Sequence, residues 1–337
     1  MSGAGPPGEP PWACPVCDRA LARVERRLVC ARGHSFDLAR QGYVNLLVRG
    51  QRRSHQPGDS AEMVAARRRF LATGAYDPLS DALAGVVAGA ARAAAERSPG
   101  RPATIVDVGC GEGHHTRRVA AALAAGGDDA KGGGGGGGHG EGAGRTGGRL
   151  SVGPVECRVA GLDVAKLAVG AAASAHPGGW YAVASAGHLP LHTGAVDVAL
   201  DVFGPVVAHE LARVVAPGGV VVAVHPGPGH LGSLRALVYA DPRPHEVKGP
   251  LRDAGRWFAR TGATTVTFPI VICDPPSLAD LFAMTPYRWH APPEIDERLT
   301  VEAARPGGFC TNVDVVVTSY RRTCAVSDRL RPGHPTG

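Results

Sequence analysis

The sequence predicts an α/β fold, a Rossmann-like, doubly wound parallel sheet behind a small N-terminal zinc-binding module. Three observations carry that prediction. From residue 104 onward, short apolar runs alternate with segments of helical periodicity, the pattern of parallel strands joined by crossover helices. The first of those strands runs into a glycine turn, Asp107-Val-Gly-Cys-Gly-Glu-Gly113, with a helical segment behind it. Ahead of both, Cys14, Cys17, Cys30 and His34 fall at C-x2-C-x12-C-x3-H, the spacing of a closed zinc site.

Residues 1–11 are rich in glycine and proline and are expected to be disordered. The zinc module follows over 12–48. Cys14-Pro-Val-Cys17 forms a knuckle, and Cys30 with His34 returns from a hairpin whose strand covers 26–30. Four protein ligands leave no open position for water, so the zinc is expected to be structural. A disulfide reading needs an oxidising compartment. No charged n-region followed by an apolar h-region begins the chain, so a cytoplasmic protein with reduced thiols is expected. Residues 42–47 read as another short strand. Trp12 and Tyr43 offer either base stacking or the small core of the module.

A helical connector is expected over 49–100, opening with a polar, basic loop over 49–57. Asp59 reads as an N-cap, with Glu62 completing a capping box. Met63, Ala66 and Phe70 then share one helical stripe while Arg67, Arg68 and Arg69 fan across the rest. Tyr76 and Asp77-Pro78 mark a break, and Leu79, Leu83, Val86, Val87 and Ala90 repeat at helical spacing. The main domain is expected over 101–323. Its strands are predicted at 104–108, 159–163, 180–184, 196–202 and 220–224, with helices at 114–125, 166–175 and 205–215. Two β-rich runs at 265–273 and 312–320 read as a closing antiparallel pair, and Asp274-Pro-Pro-Ser277 between them as a turn. The insert at 126–149 holds 14 glycines in 24 positions and cannot repay its ordering entropy, so it reads as a flexible surface loop. Residues 324–337 are expected to form a disordered tail.

Charge separates the regions. The whole chain carries a surplus of six basic residues, and residues 1–70 alone hold 12 arginines against six acids. The entire surplus therefore lies in and just after the zinc module. Arginine suits bidentate phosphate contact, so a nucleic-acid partner is favoured over simple surface solvation. No run of about 18 apolar residues exists, and no membrane span is expected.

The glycine turn sits where a doubly wound sheet holds a nucleotide. Gly109, Gly111 and Gly113 let a ligand approach the backbone, but the spacing is G-x-G-x-G rather than the dinucleotide G-x-G-x-x-G. Asp107 and Glu112 would repel a pyrophosphate. They suit a cofactor with a cationic end, such as S-adenosylmethionine, with nicotinamide dinucleotide or a degenerate site as the alternatives. Asp163 ends the second strand, placed to hydrogen-bond a ribose diol, and residues 184–190 follow the third strand where adenine contacts fall. Asp201 ends the fourth strand, where the methyl acceptor should arrive. The Asn/Asp-Pro-Pro-aromatic motif of exocyclic-amine methylases is absent there, so a ring nitrogen is the favoured acceptor. Asp201 reads either as the group that accepts its proton or as a solvated strand-end carboxylate. His230, in the rigid turn Pro226-Gly-Pro-Gly-His-Leu231, lies at the cofactor edge of the sheet.

Cys14-Pro-Val-Cys17, Cys30 to His34-Ser-Phe-Asp37, Gly42-Tyr-Val-Asn-Leu-Leu47, Pro57-Gly-Asp-Ser-Ala-Glu-Met63, Asp107 to Gly113 and Met284-Thr-Pro286 together resemble the 23S rRNA (guanine-N1)-methyltransferases of the RlmA type. The alanine-, glycine- and arginine-heavy composition is similar to the actinomycete, tylosin-resistance branch. The resemblance implies a class I methyltransferase fold using S-adenosylmethionine. It implies cofactor contacts at Tyr76, Gly111, Glu112 and His230, with Asp163 on the ribose, and a zinc module that reads a domain II hairpin of 23S rRNA. It further implies methylation of guanine N1 at a 748-type position, macrolide resistance and a homodimer. The glycine insert and the acid at Asp201 depart from the family pattern. Two other readings stand beside this one. A small-molecule methyltransferase with a purely structural zinc module has no use for the arginine surplus, and a non-enzymatic RNA-binding protein has no use for an intact glycine turn.

Overall fold

The computed structural model describes residues 8–48, 59–126, 155–246 and 249–323. The expectations for residues 1–7, the loop at 49–57, the glycine insert beyond Gly126 and the tail at 324–337 lie outside the described residues. Three short strands, β1 (Leu21–Val24), β2 (Arg27–Cys30) and β3 (Ser35–Asp37), pair antiparallel into a small sheet. The helices α1 (Ala61–Ala72) and α2 (Asp77–Arg97) lead to the main sheet. There β5 (Ala103–Val108), β6 (Cys157–Asp163), β7 (Trp180–Val183), β8 (Val196–Val202) and β9 (Val215–Pro226) run parallel. Between them lie α3 (His114–Ala124), α4 (Lys166–Ala175) and α5 (Ala208–Val214). After α6 (Gly232–Val238), β10 (Phe258–Ile272) and β11 (Phe309–Arg322) close the sheet as an antiparallel pair. α7 (Pro275–Ala283), a 3-10 turn (Pro286–His290) and α8 (Ile295–Ala303) connect those two strands.

The strand order is β10-β11-β9-β8-β5-β6-β7-β4, where β4 is Val44–Asn45. β5 is central, with β6 on one side and β8 on the other. The connections after β5 and β8 therefore diverge and open a crevice at the carboxyl ends of the strands. β5 is buried along its whole length, as a parallel strand covered on both faces must be. Alternate residues serve the two faces. Ile105 joins the buried cluster that holds Leu79, Leu83 and Val87 of α2, whereas Val106 joins the one that holds Leu162, Val221 and, from the zinc module, Trp12 and Leu28.

Four local expectations are corrected. The strand expected in the zinc module leaves it, because Val44 and Asn45 pair in parallel with Ala182 and Val183 and form the outer edge of the main sheet. Residues 8–11 are not uniformly loose. Pro10 and Pro11 are buried because Trp12, 1% exposed, is bridged to Leu191 and the Ala13 N–H donates to Pro190 O at 2.8 Å. The cap of α1 is Ser60, whose Oγ accepts the Met63 N–H, and Asp59 is drawn instead to the guanidinium of Arg67. Asp274-Pro-Pro-Ser277 is a helix start rather than a free turn. Asp274 Oδ1 accepts the Ser277 N–H at 2.8 Å, and proline occupies the first turn, where a missing N–H costs nothing.

The zinc module also shares the core of the large sheet instead of building its own, as expected of a segment too short to bury much surface alone. Packing is tight where β6 passes the glycine turn. A Cβ on Gly161 would come within 2.8 Å of Tyr181 Cε1 and 3.0 Å of the Cys110 side chain. Gly161→Ala should therefore destabilise the fold by about 1–3 kcal/mol through overpacking, read as a lower midpoint in urea unfolding.

Candidate active site and metal centre

The metal centre is assembled by the Cys14–Cys17 knuckle ahead of β1, the end of β2 and the turn after β2. Cys14, Cys17, Cys30 and His34 each bring one donor atom to a common point, all within 4.8 Å of one another. Cys17 Sγ and Cys30 Sγ stand 3.7 Å apart, and His34 Nδ1 lies 3.5 Å from Cys14 Sγ and 3.4 Å from Cys30 Sγ. A tetrahedron with zinc–sulfur bonds of about 2.3 Å has edges of about 3.8 Å, so the donor set fits zinc. With four protein donors the ion has no position for a reactant and serves structure. Around it Arg19, Arg23, Arg26, Arg27, Arg32 and Arg40 are exposed, and none forms an ion pair among the described residues. By contrast Arg67 and Arg69, which contribute to the same sequence surplus, are neutralised by Asp59 and Asp280.

A cleft of about 730 Å³ opens at the carboxyl ends of β5, β6, β8 and β9, and all eight residues predicted for cofactor and acceptor line it: Tyr76, Asp107, Gly109, Gly111, Glu112, Asp163, Asp201 and His230. Gly109, Gly111 and Gly113 take positive φ values of 79°, 54° and 79°, which a residue with a Cβ rarely adopts. The turn is pinned to β6, since the N–H groups of Gly109 and Cys110 both donate to Leu162 O. Asp163 accepts the N–H of Gly111 at 3.1 Å and of Ala165 at 2.7 Å, which fixes its carboxylate at the end of β6.

The charges in this cleft are unusual. Burial raises the carboxyl of Asp107 to about 7, with the neighbouring Asp201, Asp163 and Glu112 adding to the effect and the Thr116 hydroxyl opposing it. Burial also raises Asp201 to about 7, against one N–H bond from Gly204 at 3.0 Å. Glu112 and Asp163 are shifted upward for the same reason. Asp107 Oδ1 and Asp201 Oδ2 are buried oxygens without a partner. A cavity of this size, floored by exposed backbone and walled by carboxylates with unused acceptors, fits an adenosyl cofactor with a cationic sulfonium and amine. His230 Nδ1 accepts the Asp314 N–H at 3.3 Å, and burial lowers its pKa to about 4, so the ring is neutral.

Other lining residues were not singled out from sequence. Arg67 stretches over the cleft to Met284 O at 3.4 Å, and His114, His115, Phe203 and Trp289 also face it. Arg67 carries no local signal because its helix offered three consecutive arginines. Phe203 and Trp289 are isolated aromatics that only the fold brings to one place.

The zinc-ribbon family model described as "RlmA, N-terminal" matches residues 12–55. The 23S rRNA (guanine(748)-N(1))-methyltransferase of Streptomyces fradiae is 34% identical over 310 residues, covering 91% of this chain and 95% of that protein. The chain belongs to the 23S rRNA (guanine-N1)-methyltransferases of the RlmA type. A Micromonospora griseorubida protein provisionally given the same activity is 36% identical over 313 residues, 88% of this chain and 91% of that one. The YxjB protein of Bacillus subtilis, named in the same provisional way, is 28% identical over 311 residues, 91% and 96% of the two chains. This member is thus a class I methyltransferase using S-adenosylmethionine, with a structural zinc ribbon at its N-terminus. No described helix is long and apolar enough to cross a membrane.

Removing one ligand tests the division of labour between the two centres. Cys14→Ser should lower bound zinc from about one equivalent to near zero by metal analysis and abolish RNA methylation, while S-adenosylmethionine still binds by calorimetry. Full activity without zinc would contradict the structural role.

Proposed function

We propose that this chain methylates N1 of guanine in a domain II hairpin loop of 23S rRNA, at the 748-type position, and thereby confers resistance to tylosin-like macrolides. The single observation that carries the reading is the identity with the Streptomyces fradiae enzyme along nearly the full length of both chains. The six exposed arginines of the zinc module, none in an ion pair among the described residues, support it, because they offer bidentate contacts to RNA phosphates. The homodimer and the cytoplasmic location expected from sequence belong to this proposal as well.

Within it, the cleft residues take these roles. Gly109 and Gly111 let the cofactor reach the backbone, and Asp163 hydrogen-bonds the ribose with the lone pairs its two N–H partners leave unused. Asp107 and Glu112 complement the cationic end, and Tyr76 and His230 wall the pocket. When bound, S-adenosylmethionine supplies a methyl group made electrophilic by its sulfonium. Asp201 would accept the N1 proton of the guanine, its Oδ2 being the oxygen without a partner, and so leave N1 free to take the methyl group. Its Oδ1 stays anchored by the Gly204 N–H, which fixes the direction of the other oxygen.

Two measurements check this. N1 methylation blocks Watson–Crick pairing, so primer extension on 23S rRNA from cells expressing the protein should stop in the domain II hairpin. No new stop relative to cells lacking it would overturn the reading. Because burial raises Asp201 to about 7, it is protonated and unable to accept a proton at about pH 5.5, and ionised at about pH 8.5. kcat/KM should therefore rise with pH through about 7 and then level. Asp201→Asn should lower kcat by about 10²- to 10⁴-fold and remove that rise, whereas an unaltered profile would exclude Asp201 as the proton acceptor.

A further inference from the structure

Asp201-Val-Phe-Gly-Pro205 leaves β8 in a tight turn, and Phe203 within it adopts φ 57°, a conformation strained for any residue with a Cβ. The adjacent Gly204 does not relieve the strain. A Cβ there would come within 2.8 Å of Asp201 Oδ2, and its N–H is already the anchor of Asp201 Oδ1. The Phe203 N–H donates to Val224 O at 3.1 Å, so the residue is held in this conformation by the neighbouring strand. Its side chain nonetheless stays 43% exposed. The phenyl ring is thus neither packed away nor on a relaxed backbone.

Trp289, on the 3-10 turn, is 67% exposed. Among the described residues these are the only two exposed side chains of the Phe, Tyr and Trp type, and both line the cleft. Each is buttressed. His230 lies against Phe203 with ring centroids 5.5 Å apart and planes tilted by 35°, and the Arg288 guanidinium sits 5.3 Å from the Trp289 ring. Arg288 is itself drawn toward Glu62 at 3.4 Å, which ties that side to α1.

We infer that Phe203 and Trp289 are positioning residues for the acceptor, receiving the target guanine as a base swung out of its RNA stack, with Phe203 as the platform that sets N1 opposite Asp201. The inference rests on the proposed guanine-N1 activity and deepens it. A base in a continuous helix cannot enter a cleft at the carboxyl ends of the strands, whereas a loop nucleotide loses little stacking on leaving its neighbours. Aromatic faces replace that stacking, and the strained turn keeps the phenyl ring from collapsing onto the protein before the base arrives.

The test uses the full chain, a transcript of the domain II hairpin and the variants Phe203→Ala, Phe203→Leu, Phe203→Tyr and Trp289→Phe. A stacking role predicts that Phe203→Ala and Phe203→Leu lose about 5- to 100-fold in kcat/KM while Phe203→Tyr stays within about threefold. S-adenosylmethionine affinity should be unchanged in all four. In a separate readout that needs no turnover, adding the hairpin should quench tryptophan emission of the wild-type protein, and Trp289→Phe should remove most of that quench. Phe203→Gly relieves the strain and should raise the melting temperature while losing activity like Phe203→Ala; a residue kept for stability would do the opposite. An active wild type with Phe203→Leu equal to Phe203→Tyr, or with no quench due to Trp289, overturns the inference. An inactive wild type with the quench intact overturns the guanine-N1 reading instead and leaves the aromatic platform standing.

Discussion

Asp107, Glu112, Asp163 and Asp201 are all withdrawn from water around one glycine turn, and burial pushes the pKa of each upward. So much buried carboxylate is tolerated only where partners or a cation meet it. The protein provides part of that compensation. Thr116 donates to Asp107, two backbone N–H groups hold Asp163, one holds Asp201, and Arg67 lies near Glu112. One oxygen each on Asp107 and Asp201 remains unsatisfied, and both residues line the cleft. The central position of β5 makes this possible, because only between diverging connections do the ends of β5, β6 and β8 deliver their acids to the same volume.

Much of this was legible in the chain. The alternation of apolar strand and helical periodicity marked the parallel sheet, and Lys166–Ala175 and Val196–Val202 appear with the bounds predicted. The metal ligands were legible because tetrahedral coordination leaves few workable spacings, and the cleft acids because three of them end strands and Glu112 sits in the glycine turn. The failures share a cause in tertiary contact. Asp59 has the right chemistry for a cap, but the cleft-spanning Arg67 competes for it and Ser60 takes the cap. Val44–Asn45 has strand propensity either way, and only the open edge of β7 decides which sheet receives it. Phe203 has no periodic signature at all, since its importance lies in a backbone angle.

The zinc ribbon and the methyl-transfer domain act as one hydrophobic body. Trp12, Cys14, Leu21 and Leu28 are buried against residues of the large sheet, and the Ala13 to Pro190 hydrogen bond closes the seam. Loss of the metal would thus disturb one wall of the large core, a cost that a tethered domain on a free linker would not incur. The exposed arginines stay on the outer side of this arrangement, where the hairpin β1–β2 carries several of them.

The two-residue strand β4 has a consequence out of proportion to its length. Hydrogen-bonded to β7, it stands three strand spacings from β5, about 14 Å across the sheet. The segment that follows the metal centre is thereby tied to the sheet by backbone hydrogen bonds and not left to the slack of a connector. A substrate held by ribbon and cleft together would meet two surfaces whose spacing the sheet itself keeps.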